Sequence, residues 1–241
     1  LPDEYDEKYY FEILSILEEK TQPFGSGLLS QLLREKGYGL SEATVGRVLS
    51  SMDRQGLTKK LNFQGRTITD KGRSRLEQMR GQYRRLADGN RFVETLGSRK
   101  KEDLLDVLVA RKAIEREVAR LAAVNASEED IRRMKGILRE QQEYSEEQKL
   151  SAEHDTKFHK LLGEAAGNKV LAVAMDVIRH DAQLSPILEY IRCQVGGKLV
   201  VDHAEIVKAI EAHDPDRAEQ AMIHHVQGLI DDVGKYWSRL T

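Results

Sequence analysis

Apolar residues recur at helical spacing along most of this chain, and the exceptions are as informative as the rule. Between Tyr9 and Glu19, Phe11, Ile13, Leu14, Ile16 and Leu17 share one broad face, which predicts a short amphipathic helix ended by Gln22-Pro23-Phe24-Gly25. Ser26 to Lys36 places Leu28, Leu29, Leu32 and Leu33 on a second helix, closed by the Gly37-Tyr38-Gly39 turn. Ser41 is a good N-cap for a third, which carries Val45, Val48, Leu49 and Met52 and stops at Gln55-Gly56. The period then changes. Leu57 to Leu61 and Arg66 to Thr69 read as short strands around a four-residue loop, Asn62-Phe63-Gln64-Gly65. Three helices followed by a hairpin is the order of a winged helix.

A further helix is expected after a cap at Thr69 or Asp70. The stretch from Arg80 to Lys101, with Asp88-Gly89-Asn90, Gly97-Ser98 and several basic residues, reads as a connector. From Glu102 onward helical patterns predict Leu104 to Ala123, Ser127 to about Gln148, Ala152 to Ala166, Lys169 to about Arg192 with an interruption at Pro186, Lys198 to His213, and Pro215 to Trp237. Such helices joined by short turns make an antiparallel bundle. The expected fold class is therefore mostly α: a winged helix-turn-helix over residues 1–80, a linker over 81–101 and an all-α domain over 102–241.

Composition agrees with this picture and narrows the setting. A hydrophobic content of 40% with 32% charge is that of a folded, soluble helical protein. The first twenty residues carry Asp3, Glu4, Asp6 and Glu7 rather than a secretory core, and no apolar run nears the roughly 20 residues of a membrane span. The single Cys193, expected to be a small buried side chain, has no disulfide partner. A cytoplasmic location is expected. The net charge of -2 conceals an uneven distribution: Arg34 to Arg85 holds about thirteen Lys and Arg against five acids, roughly +8, and the remainder is acidic.

A basic segment in an acidic chain is the electrostatic footprint of a polyanion-binding module. The third helix should expose Thr44, Arg47, Ser51 and Arg54, and the hairpin Lys59, Lys60, Asn62, Gln64 and Arg66. Arg47 is the first choice for a base contact, since a guanidinium donates two bonds to a guanine edge. Gln22-Pro23-Phe24, LLREKGYGLSEATVGRVLSSMDRQGLTKK and GRTITDKG together resemble the winged helix of ribonuclease R and of archaeal nitrogen-regulation repressors, over roughly Ile13 to Leu76. That resemblance implies nucleic-acid binding, with double-stranded operator DNA as the expected partner.

All seven histidines lie between His154 and His225. Asp155 and His159 are one helical turn apart, which is chelate spacing, and His203 and His225 fall on the two last helices. One carboxylate and three imidazoles would suit a divalent metal ion such as Zn, Ni, Mn, Fe or Co. His154, His180, His213 and His224 are expected at the surface or at helix ends, and Asn168 as a cap.

VLVARKAIEREVARLAA, HDTKFHKLLGEAAGNKVL and DHAEIVKAIEAHDPDRAEQAMIHHV resemble the FCD ligand-binding domain of the FadR branch of GntR-type bacterial transcription regulators, over most of Leu104 to Val233. In metal-binding members of that family the ligands fall where this chain has Asp155, His159, His203 and His225. The resemblance further implies a homodimer and a small carboxylate effector held by the metal and nearby basic groups. Arg111 is the first choice and Arg192 the second, although Arg111 could equally pair with Glu115 on its own helix. The G-x-G-T wing of ordinary FadR-branch proteins is absent. Two other readings are a metal-dependent enzyme and a dimeric scaffold with structural histidines. Against the enzyme, the chain has no His-Glu-x-x-His, no paired Glu-x-x-His and no Gly-x-Ser-x-Gly. No catalytic residue is assigned.

Overall fold

The structure, a computed structural model, describes residues 4–20, 22–97, 100–146, 152–179, 184–196 and 199–239. It forms two compact units, Leu1–Gly89 and Asn90–Thr241.

The first unit contains α1 (Glu4–Glu19), α2 (Ser26–Glu35), α3 (Glu42–Arg54), β1 (Thr58–Leu61), β2 (Gly65–Ile68) and the first part of α4 (Asp70–Leu96). Its helices form because each presents an apolar stripe to one core, in which Ile13, Leu14, Leu29, Leu33, Val45, Leu49, Met52 and Leu76 are wholly buried. α3 starts where the Ser41 hydroxyl accepts the Thr44 amide at 3.2 Å. It stops where Gly56 adopts a left-handed φ of 74° and the Leu57 amide reaches back to the Met52 carbonyl. Thr69, not Asp70, caps α4: its hydroxyl accepts the Gly72 amide and donates to the Gly56 carbonyl.

The hairpin is tighter than the sequence suggests. Leu61 pairs with Gly65, so the loop is Asn62, Phe63 and Gln64, and Gly65 belongs to β2. Gly65 has φ 118°, and a Cβ there would collide with the Phe24 carbonyl. Phe24 and Arg66 exchange two backbone hydrogen bonds of 2.9 Å across this close approach. Phe24 thus extends the hairpin by a single residue, and only glycine fits beside it.

The second unit holds seven helices after α4 among the described residues: α5 (Lys101–Asn125), α6 (Glu128–Glu146), α7 (Ala152–Ala165), α8 (Lys169–Arg179), α9 (Leu184–Val195), α10 (Leu199–Glu211) and α11 (Pro215–Ser238). Side-chain caps start several of them. Ser127 and Asp130 bond each other's backbone amides in a capping box, Asn168 accepts the Val170 and Leu171 amides, and Asp214 accepts the Arg217 amide. The common core runs along α5, where Leu104, Val107, Leu108, Val118, Ala119 and Ala122 are buried with Phe158, Leu162, Ile206, Ile210, Met222 and Val226.

Several expectations are corrected. The connector is helical as far as Leu96, and the division between units falls inside α4; one glycine costs a helix only about 1 kcal/mol. The Lys169 to Arg192 helix is two helices, but Pro186 does not separate them. Pro186 lies in the first turn of α9, where its missing N–H has no intrahelical partner to lose. Cys193 is exposed. His154 is buried, its ring 4.5 Å from that of Tyr144, whereas His213 ends α10 and His224 is exposed. His180, Ser98 and Lys198 lie outside the described residues.

Candidate metal centre and basic face

Asp155 and His159 come from α7, His203 from α10 and His225 from α11, and all four are buried. One ligand atom from each lies within 4.8 Å of the others. Ligands about 2.1 Å from a common cation lie roughly 3–4 Å apart, so a small inward adjustment would suffice. The Nε2 atoms of His159 and His203 stand 3.5 and 3.4 Å from Asp155 Oδ1.

The outward ring nitrogens decide how these imidazoles are held. His159 Nδ1 faces Glu115 Oε2 at 3.1 Å, His203 Nδ1 faces Gln141 Oε1 at 2.9 Å, and His225 Nδ1 faces Asp202 Oδ2 at 3.5 Å. Each ring therefore has an oxygen facing its Nδ1, hydrogen-bonded in the case of His203, the kind of arrangement by which outer residues set the tautomer of metal-bound histidines. Phe158 stacks on His203 at 4.4 Å and fixes that ring further. None of the three Nε2 atoms has a hydrogen-bond partner. Leaving three such buried ring nitrogens unmatched is costly, and one cation, displacing any proton they carry, would satisfy all three. The donor set fits a divalent metal.

A second layer of charge surrounds these ligands. Arg111 Nε donates to Glu115 Oε1 at 2.7 Å, and Arg179 Nη1 donates to the same oxygen at 2.9 Å. Arg179 also donates to Asp155 Oδ2, which Ser185 Oγ approaches at 3.3 Å. Burial would raise the Glu115 carboxyl, but the Arg111 charge and His159 outweigh it and hold it at about 2. Burial would likewise raise Asp155, yet its contacts with His159 and the charges of His203 and Arg111 keep it well below the usual carboxylate range. For His159, burial opposes the charged form, but Glu115 and Asp155 prevail and lift it to about 9. His203 is pushed down by burial and by its neighbouring histidines. Without metal, then, one proton on His159 offsets part of the negative charge.

Arg192 is engaged elsewhere. Its Nη2 meets Asp202 at 2.9 Å and its Nε meets Asp232 at 3.0 Å, across Gly228, where a Cβ would stand 2.9 Å from Nη2. It supports the carboxylate behind His225 and stands between two carboxylates, away from the clefts beside Asp155. Arg111 fares differently. It lines a narrow cleft with Asp155, Ser185, Leu188 and Leu229, and a broader cleft beside it shares Ala152 and Ser185 and is bounded by Lys157 and Arg179.

On the first unit, Arg47 and Arg54 of α3 are exposed, and Thr44 and Ser51 are half-buried beside them. Arg47 Nη2 donates to Thr44 Oγ1 at 3.3 Å. Lys59, Lys60, Asn62 and Gln64 are exposed on the hairpin, whereas Arg66 is half-buried and paired with Asp53 at 2.7 Å. Arg66 therefore braces the hairpin through its Nε.

Sequence reasoning missed Arg179, Ser185, Gln141 and Asp202, and treated Glu115 only as a partner for Arg111. A signal existed for two of them. Arg111 and Glu115 continue the buried stripe of Leu104, Leu108, Val118 and Ala122, and Arg179 follows Met175 and Ile178 on that of α8. Charges on a core stripe mark a polar interior.

Residues 106–228, more than half of the chain, match the FCD domain, and residues 11–76 match the ribonuclease R winged-helix domain. The global nitrogen regulator NrpR of Methanococcus maripaludis is 41% identical over 73 residues, covering 30% of this chain and 14% of that protein. The HTH-type transcriptional regulator LutR of Bacillus subtilis is 24% identical over 213 residues, covering 84% of this chain and 89% of LutR. The putative L-lactate dehydrogenase operon regulatory protein of Escherichia coli is 30% identical over 138 residues, covering 56% and 53%. These relatives are regulators, not enzymes. The chain belongs to the FCD-domain family, with its FCD domain behind a winged helix of the ribonuclease R type.

Proposed function

We propose that this protein is a ligand-responsive transcription regulator whose FCD domain holds a divalent metal through Asp155, His159, His203 and His225. The observation that carries the metal is the clustering of one ligand atom from each of these four buried residues within 4.8 Å, with the unpartnered Nε2 atoms of His159 and His203 both close to Asp155 Oδ1. Zinc, nickel or manganese all accept such a donor set. A small carboxylate effector would sit in the broader cleft, bounded by Lys157 and Arg179, and reach toward the metal along the narrow cleft whose wall carries Arg111. The name of the E. coli relative, an L-lactate dehydrogenase operon regulator, supports an acid of that size.

The winged helix reads operator DNA in the cytoplasm, with Arg47, Arg54, Thr44 and Ser51 of α3 towards bases and phosphates, and Lys59, Lys60, Asn62 and Gln64 on the wing. Two copies on a two-fold operator would let effector binding change the fit between half-sites. Among the described residues, no helix is long and apolar enough to cross a membrane.

The test joins metal analysis to a ligand screen. Purified protein should carry about one ion per chain that chelator removes, and a thermal-shift screen of organic acids should find one that stabilises only the metal-loaded form. Background metal content in both wild type and Asp155→Ala, with unchanged ligand response, would sink the metal reading.

A further inference from the structure

Phe63 sits at the tip of the hairpin with its side chain wholly in solvent, at 106% relative exposure. No other large apolar side chain among the described residues exceeds 77%. A ring so placed adds nothing to the core, and its exposure is unfavourable in the free protein.

The tip is held in place by several bonds. Asn62 takes a left-handed φ of 46°, and the Gln64 amide donates to the Leu61 carbonyl at 2.9 Å, which closes the loop. At the base of the hairpin, Asp53, in the last turn of α3, accepts the Thr58 hydroxyl at 2.6 Å and the Arg66 Nε at 2.7 Å. One carboxylate thereby ties both strands to α3. The Phe24 bridge fixes β2 from its other side. Phe63 is thus presented at a set position relative to the exposed face of Arg47 and Arg54.

The surroundings of the ring select a partner. Residues 58–69 contain no acid, Lys59 and Lys60 are exposed on β1, and Asn62 and Gln64 flank the ring at the tip. Cations for phosphates, amides for groove edges and an apolar wedge are the equipment of proteins that enter the minor groove and partly unstack a base step. That groove is about 6 Å wide and admits a hairpin tip rather than a helix.

We propose that Phe63 is a wedge which enters the minor groove beside the segment read by α3, inserts partway into a base step and kinks the duplex there. This rests on the DNA-binding reading above. A flexible pyrimidine–purine step would be the favoured place, so Phe63 would add selectivity through DNA deformability at a position with few direct base contacts.

The experiment uses the full chain and a duplex selected from a random-sequence pool by wild-type protein. The duplex carries end-to-end fluorescent dyes to report bending and, in a second set, 2-aminopurine at successive steps to report unstacking. Wild type should brighten 2-aminopurine at one step per half-site and bend the duplex by roughly 20–90°. Phe63→Ala should abolish both signals and weaken binding about tenfold, while Phe63→Leu, still an apolar wedge, should keep most of each. The joint Lys59→Ala, Lys60→Ala variant should lower the salt slope by about two and leave the brightening in place. Full bending and brightening with Phe63→Ala would overturn the wedge and leave the DNA reading standing. Failure of wild type to enrich any duplex would overturn both. A change in sedimentation on Phe63→Ala, with bending retained, would make the tip a self-association contact and also end the proposal.

Discussion

The two units of this protein bury different things. The core of the winged helix is apolar, with Ser30 and Thr58 the only buried polar residues among those described, whereas the second unit encloses Arg111, Glu115, Asp155, His159, Arg179, His203, His225 and Asp232. Both are helical and both follow the same rules of stripe and cap. The difference shows where each does its work. An apolar core supports a surface, and in the first unit every residue assigned to DNA lies outside it. A core containing charges sacrifices apolar burial, and those charges are retained only if their polar atoms are satisfied by each other or by a ligand.

Substitutions in each core should break this contrast in opposite ways. Leu49→Ala, at a wholly buried position of α3, should cost about 2–5 kcal/mol of stability in the first unit and leave metal content unchanged, as read by calorimetry and metal analysis. His203→Ala should do the reverse. If a four-ligand site is worth roughly 10–16 kcal/mol, removing one ligand costs about 3 kcal/mol, roughly 150-fold in metal affinity by competition with a chelator. Asp202→Asn weakens the carboxylate behind His225 without touching a ligand and should lower metal affinity by about 10–100-fold. Arg47→Ala should weaken operator binding by about 1–3 kcal/mol without altering metal affinity, by titration at fixed salt.

The smallest effect is in pH. In the metal-free protein His159 titrates near 9 against an ordinary value near 6.5, so its stabilising contribution is complete below about 6.5 and is lost as pH rises towards 9. Glu115, held at about 2, contributes above its ordinary range near 4.5 and loses that contribution as acid approaches 2. Chelator-treated protein should therefore lose melting temperature between pH 6.5 and 9, and metal should remove that alkaline loss. Metal binding at neutral pH should also release about one proton, measurable as a buffer-dependent heat.

Much of this was legible in the sequence because local chemistry and global fold agree. Ser41, the stripe from Val45 to Met52, and Gly56 delimit α3 almost to the residue, since cap, face and stop each act within one turn. The clustering of Asp155, His159, His203 and His225 was equally readable, from i,i+4 spacing and from family resemblance. The charges behind them were not. Gln141, Asp202 and Arg179 lie on three different helices, and no periodicity announces that a polar residue on one will face a histidine on another. Asp88-Gly89-Asn90 misled in the other direction: turn-forming residues outweighed helix formers on paper, while α4 extends through them. The hairpin loop shortened because Gly65 answers to Phe24, a neighbour distant in sequence.

Asp155 presents one oxygen to the imidazoles and the other to Arg179 and Ser185. If the proposed metal and acid both bind, this single carboxylate would be common to the two equilibria. By thermodynamic reciprocity, an acid that binds more tightly when the ion is present must tighten the ion by the same factor. On the proposed function, the concentration of free metal in the cell would then set the threshold at which the regulator answers an acid, a two-input gate in which Asp155 faces both ligands.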